Sequence, residues 1–163
     1  IALGARVSVF GPSRDRVIPV AELFAGYYET VLERNELIAE VIVPPQAGRR
    51  AAYLKCTTRS ADDWPALGVA VALDTDGTTI HEAKIVISAA TQKPTRLAAA
   101  EAILREGASD AVLRRAGEAA ADEADVISDT YGSAAYKRQL VSVYVRRAVR
   151  KALGAPTEKQ RRT

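Results

Sequence analysis

Methionine is absent from these 163 residues, and cysteine, histidine and tryptophan occur once each, as Cys56, His81 and Trp64. A lone cysteine excludes a disulfide framework within the chain. One cysteine and one histidine are too few ligands for an iron–sulfur cluster or a tetrahedral zinc site, so any such centre belongs to a partner. No apolar run reaches the roughly 20 residues of a membrane-spanning helix, and no secretory signal is read, so the cytoplasm is the expected location. Gly-x-Gly-x-x-Gly and the Walker loop are missing too, so no phosphate-binding loop of those kinds is encoded. Residue 1 is an isoleucine inside an apparent strand, and an N-terminal portion is expected to precede it.

What is present is a globular composition, 48% hydrophobic and 26% charged. The net charge of +3 suits an acidic partner surface or an anionic cofactor and does not by itself point to nucleic acid.

The chain divides by pattern. Residues 1–44 look like the end of one domain. They contain a strand over 7–10 stopped by Gly11 and Pro12, a helical turn over 20–25 behind Pro19, and a strand over 37–43. Residues 45–50 form a linker, because Pro44 and Pro45 cannot continue a ladder. Residues 51–153 read as three strands (51–57, 67–74, 79–89) followed by three helices (95–106, 110–121, 134–153). A turn at Asp74–Gly77 makes the last two strands antiparallel. Val141, Val145, Ala148 and Ala152 form an apolar stripe on the last helix, with Ser133 as its cap. Strands followed by helices predict an α+β fold: a three-stranded antiparallel sheet packed against about three helices. Residues 154–163 read as a basic, flexible tail.

The stretch from Tyr53 to Leu73 carries the chemistry. A strand ends in Lys55, Arg59 follows, then the pair Asp62 and Asp63, then Trp64, Pro65 and a strand of small apolar residues. Charge held at the end of a buried strand is aimed by a rigid scaffold. This Lys-x3-Arg-x2-Asp-Asp arrangement resembles the flavin-carrying subunit of the molybdenum hydroxylases, the group of the carbon monoxide dehydrogenase medium subunit and xanthine dehydrogenase. Phe24, Gly26, Thr30 and the run from Glu36 to Pro44 are similar to the close of that family's flavin-binding domain. Pro94, Arg96, Glu101, Leu104 and the run from Gly132 through Tyr136 to Arg138 are similar to its C-terminal domain. Trp64–Pro65, Ala135 and Lys137 depart from the family pattern.

The resemblance implies an oxidoreductase component that binds FAD, with the main pyrophosphate loop in a preceding segment. It implies partners carrying the molybdenum cofactor (a large subunit) and [2Fe–2S] clusters (a small subunit). It assigns Ile38 and Lys55 to the flavin ring and Arg59, Asp62 and Asp63 to a charged loop beside it, with no catalytic or metal-ligating residue in this chain.

Read without it, Lys55 is a strand-end lysine, and Arg59 with an aspartate is a surface ion pair worth ~0–1 kcal/mol. Ile38 is a core strand residue, Trp64 stacks on a ring or caps a core, with the core reading favoured, and Cys56 is a small buried hydrophobe. His81 has no triad context. Arg138, Arg146 and Arg150 form a solvated or subunit-facing side of the last helix, without the interleaved aromatics of a nucleic-acid surface. From a different class, a non-catalytic α+β interaction module stays open.

Overall fold

The computed structural model describes residues 1–57, 64–76 and 79–154. Three strands, β1 (Arg6–Phe10), β2 (Arg16–Pro19) and β5 (Leu37–Ile42), form an antiparallel sheet in the order β2–β1–β5. Between β2 and β5 lie a single helical turn, α1 (Val20–Leu23), and a small hairpin of β3 (Phe24–Gly26) and β4 (Glu29–Thr30). Alternation in β1 turns Val7 and Val9 to one face, where they meet Ile18 and Leu23 in a small core. The Arg16 guanidinium grips both Glu36 carboxylate oxygens at 2.8 and 2.7 Å and donates to the Val31 carbonyl. That fork ties the loop before β5 back to β2.

The remainder is the expected α+β unit. Strands β6 (Arg49–Cys56), β7 (Leu67–Thr75), β8 (Ile80–Ser88) and β9 (Thr95–Arg96) pair antiparallel in that order. Helices α2 (Ala98–Leu104), α3 (Asp110–Glu123) and α4 (Ala134–Ala152) cover one face. Leu67, Val69, Val71 and Leu73 alternate toward those helices and are buried, as are Ile85 and Ile87 of β8. Each such side chain contributes about 1.5–3 kcal/mol on removal from water. The α4 stripe of Val141, Val145, Ala148 and Ala152 is buried as the spacing predicted. Ser133 caps the helix by accepting from the Tyr136 amide. Helices α3 and α4 cross tightly at Gly117, where an added Cβ would stand 2.6 Å from the Ser142 carbonyl oxygen.

Several elements differ from expectation. Ile1, read as lying inside a strand, precedes β1. Phe24 and Ala25, read as part of the helical turn, belong to β3. Arg49 and Arg50, read as linker, open β6, where they pair with Asp74 and Leu73. Thr95 and Arg96, read as the start of a helix, form a fourth strand instead. The Leu97 amide donates to the Ile85 carbonyl, and the Ile85 amide donates to the buried Glu101 carboxylate, which also takes the Arg96 guanidinium. These bonds hold residues 95–97 against the sheet edge. The helix begins only at Ala98, where Glu123 of α3 accepts from the Ala98 and Ala99 amides. It ends at Leu104 rather than 106.

The opposite face of the four-stranded sheet is lined by Gly68, Ala70 and Ala72. Residues Ile1, Ala2 and Leu3 pack on Ala70, Ala72 and Val86 at one end of it. Gln46 holds this segment by donating to the Leu3 and Pro44 carbonyls. Among the described residues, no helix is long and apolar enough to cross a membrane.

Candidate functional site

Lys55 stands opposite Gly68 in the β6–β7 register, and Gly68 stands opposite Ser88 in the β7–β8 register. The three form a row on the face turned away from the helices. Tyr53, two residues before Lys55, shares that face. Its phenol oxygen and the Ser88 hydroxyl both come within 2.7 Å of where a Gly68 Cβ would lie. Only glycine lets the two side chains meet over β7 in this way. The row therefore presents an ammonium, a phenol and a hydroxyl, all proton donors, on one rigid surface.

Ser88 also lines a cleft of about 510 Å³. One wall is the β3–β4 hairpin, with Phe24, Tyr27 and Tyr28. Trp64 and Pro65, leading into β7, form another. The floor is made by the segments after β8 and before α4, including Ala89, Ile127 and Tyr131. The size and the aromatic lining suit a small planar ligand.

The floor is pinned from below. Lys137 of α4 has no solvent exposure, and its ammonium donates to Asp129 at 2.5 Å and to the Ala89 carbonyl at 3.3 Å. The Ile127 amide donates to the Ala90 carbonyl. Asp129 and Gly132 exchange backbone hydrogen bonds, and the Asp129 carboxylate accepts from the Tyr131 amide at 2.8 Å. Burial pushes the Asp129 carboxyl up, but the Lys137 ammonium and the Tyr131 and Gly132 amides outweigh it and hold it below its ordinary value. The Tyr27 phenol is pushed up, first by its neighbour Tyr28, then by burial and by the Asp129 charge. The two tyrosine rings meet edge to face, 4.6 Å between centroids.

Trp64 is 68% exposed, so the expectation of a core tryptophan is wrong: it walls the cleft. Ile38 is 44% exposed, which overturns its reading as a core strand residue. It pairs with Val9 at the end of the β2–β1–β5 sheet where covering side chains run out. Arg59, Asp62 and Asp63 lie outside the described residues. Cys56 is buried as expected. The face expected to be solvated on α4 is partly covered: Arg150 pairs with Asp110 at 2.6 Å, and the Arg146 stem packs against Gly117.

Sequence reasoning missed Tyr27, Tyr28, Tyr131 and the Asp129–Lys137 pair. Adjacent tyrosines between Gly26 and Thr30 were a usable signal, since aromatics in an exposed turn are seldom there for packing.

The CO dehydrogenase flavoprotein C-terminal domain profile matches residues 52–152, and the profile of the FAD binding domain in molybdopterin dehydrogenase matches residues 1–46. The chain belongs to the CO dehydrogenase flavoprotein family. Its relatives include the carbon monoxide dehydrogenase medium chain of Hydrogenophaga pseudoflava, 34% identical, covering 93% of this chain and 53% of the relative. The nicotine 6-hydroxylase medium subunit of Paenarthrobacter nicotinovorans is also 34% identical, covering 96% and 55%. Among solved structures, the carbon monoxide dehydrogenase of Hydrogenophaga pseudoflava lacking the Mo-pyranopterin moiety superposes with a TM-score of 0.87 at 32% identity, covering 94% of this chain and 54% of that one. The chain spans about half the length of the relatives it matches. Within this flavoprotein family, the Lys55 row lies in the C-terminal domain match and Ile38 in the FAD-binding domain match.

Proposed function

We propose that this chain is the closing part of a flavin-carrying medium subunit of a molybdenum hydroxylase. On this reading the whole protein passes electrons from [2Fe–2S] clusters through FAD to an external acceptor. The observation that carries it is the row of Lys55, Gly68 and Ser88 beside an aromatic cleft, on a chain that matches an FAD-binding domain and a flavoprotein C-terminal domain in order. Residues 1–44 then close the flavin domain, 45–48 link, and the unit from β6 to α4 forms the C-terminal domain.

The donor set suits a flavin ring, because an ammonium, a phenol and a hydroxyl on one face match ring carbonyls. A bound flavin supplies electron storage between one-electron carriers and a two-electron acceptor. Lys55 keeps a positive charge beside the ring edge, where negative charge develops on reduction. Ile38 offers an apolar wall from β5, and Arg59 with Asp62 or Asp63 guards the ring's open side. Oxidation of the substrate falls to a large subunit with the molybdenum cofactor, and single-electron relay to a small [2Fe–2S] subunit. The complex works in the cytoplasm, and this chain on its own is inactive.

The test is in the full-length protein. It should carry bound flavin, visible by absorbance, and Lys55→Ala should lower the flavin potential in a potentiometric titration while leaving the melting temperature in place. A melting shift without a redox effect would return Lys55 to a structural role. Exposed Leu37 and Val41 favour a second reading, a non-catalytic docking module, which predicts no flavin at all.

A further inference from the structure

Strand β8 ends at Ser88, and the next residue, Ala89, has φ 66°. A residue with a Cβ is disfavoured in this region, so its surroundings must hold it there. The carbonyls that follow the strand show how. The Ala89 carbonyl accepts from the Lys137 ammonium at 3.3 Å, and the Ala90 carbonyl accepts from the Ile127 amide at 2.9 Å. A carbonyl fixed in direction fixes the ψ of its own residue. Both donors belong to the stretch from Ile127 into the first turn of α4.

That stretch is itself well tied. The Lys137 side chain has no solvent exposure, and its ammonium donates to Asp129 at 2.5 Å. The Lys137 amide donates to the Ser133 carbonyl, and the Ser128 hydroxyl accepts from the Ala134 amide at 2.9 Å. Asp129 bridges to Gly132. A buried ammonium thus joins the start of α4 to a main-chain carbonyl at the end of β8.

On the other side of Ala89 stands Ser88. Its hydroxyl lies 2.7 Å from the place a Gly68 Cβ would take, and the Tyr53 phenol oxygen stands equally close. Ser88 pairs with Gly68 of β7, but β9 reaches only Val86 and Ile87. The sheet therefore supports Ser88 from one side, and the remaining support arrives through Ala89.

We propose that Lys137 is a positioning residue for the Lys55–Gly68–Ser88 row: by holding the Ala89 carbonyl it sets where the Ser88 hydroxyl stands beside Tyr53. What the row binds rests on the flavin reading; how Lys137 positions it does not.

The first readout is the Tyr53 ring signal in magnetic resonance of the 163-residue chain carrying isotope-labelled tyrosine, assigned with Tyr53→Phe. Ser88→Ala sets the shift expected when the hydroxyl is lost. Lys137→Met should move the same signal by a comparable amount. Ala89→Val should do so too, because a β-branched residue does not accept the positive φ. It leaves the ion pair in place, and it carries the test alone should Lys137→Met not fold. Adding Ala89→Gly to Lys137→Met should restore at least half of the shift, since glycine takes the positive φ without being held. Val145→Ala, a cavity under the same helix, should lower the melting temperature and leave the signal in place. A signal unmoved by Lys137→Met or by Ala89→Val, no recovery in the double variant, or an equal shift in Val145→Ala would each overturn the proposal. The second readout is the flavin potential of the full-length protein, which Lys137→Met should lower in the same direction as Ser88→Ala. An unchanged potential with flavin bound would overturn it as well. A full-length protein without flavin would sink the flavin reading alone, because the Tyr53 signal still decides the role of Lys137.

Discussion

The sheet β6–β9 and the sheet β2–β1–β5 are both antiparallel and rich in branched aliphatic residues, yet they are covered very differently. In the first, three helices close over one face and Leu67, Val69, Ile85 and Ile87 lose all contact with water. In the second, the core is Val7, Val9, Ile18 and Leu23, and it stops short of the third strand. Val41 pairs with Val7, and so shares its face, yet it is 61% exposed. The same strand chemistry thus serves as core in one region and as uncovered surface in the other. Burial is set by whether a layer lies above the sheet, and a strand's own sequence does not encode that layer.

Perturbing the two regions in parallel tests this contrast. The largest effect is expected at Asp129 in the closed unit. Asp129→Ala leaves the Lys137 ammonium wholly buried without a counter-ion, which should cost about 3–5 kcal/mol in urea unfolding. Lys137→Met should cost less, because the Asp129 side chain keeps 29% of its exposure and water can solvate it. The double variant should recover most of the loss. An Asp129→Ala milder than Lys137→Met would contradict the burial asymmetry.

Next in size is Ile87→Ala, expected to cost about 2–5 kcal/mol through lost transfer energy and a cavity. Acid should then act on both regions. In the N-terminal sheet, the Arg16 guanidinium and the Glu33 amide hold the Glu36 carboxyl below its ordinary value. A lowered folded value means the contribution is complete above the ordinary carboxylate range, about pH 4, and is lost as pH falls through the folded value. Asp129 behaves alike in the other unit. Thermal melts of Arg16→Gln should therefore depend less on pH below about 4 than those of the parent. An unchanged slope would remove Glu36 from the acid response.

The smallest effect is expected at Leu37→Ala on β5. The residue is 73% exposed, and the change should stay within about 0.5 kcal/mol. A loss as large as that of Ile87→Ala would break the comparison, because it would mean β5 is covered in solution.

These regions also differed in how far the sequence revealed them. The α4 stripe and the Ser133 cap were readable because helical period and capping are local rules. Strand β9 was not: Pro94 announces a helix start, while Ile85 on the neighbouring strand, with Glu101 of α2 bonded to both Ile85 and Arg96, decides that residues 95–97 stay extended. Lys55 was found through a linear motif, and its neighbours Gly68 and Ser88 are set by strand register. The cleft was out of reach because the hairpin, Trp64, the segment after β8 and the loop before α4 converge only in the fold. Trp64 was read as capping a core, and Ile38 carried both a ring-wall and a core reading, because apolar character alone does not distinguish a covered residue from an exposed one.

Strand β5 brings one more consequence, for handling the protein in the test tube. Among the described residues it pairs only with β1, and its outer edge runs Leu37, Ile38, Ala39, Glu40, Val41, Ile42 with a single charge. An edge with open amides and carbonyls and few charges is a template on which another chain can add a strand. Self-association of the chain should therefore rise with concentration, and a lysine at Val41 should suppress it without touching the cleft.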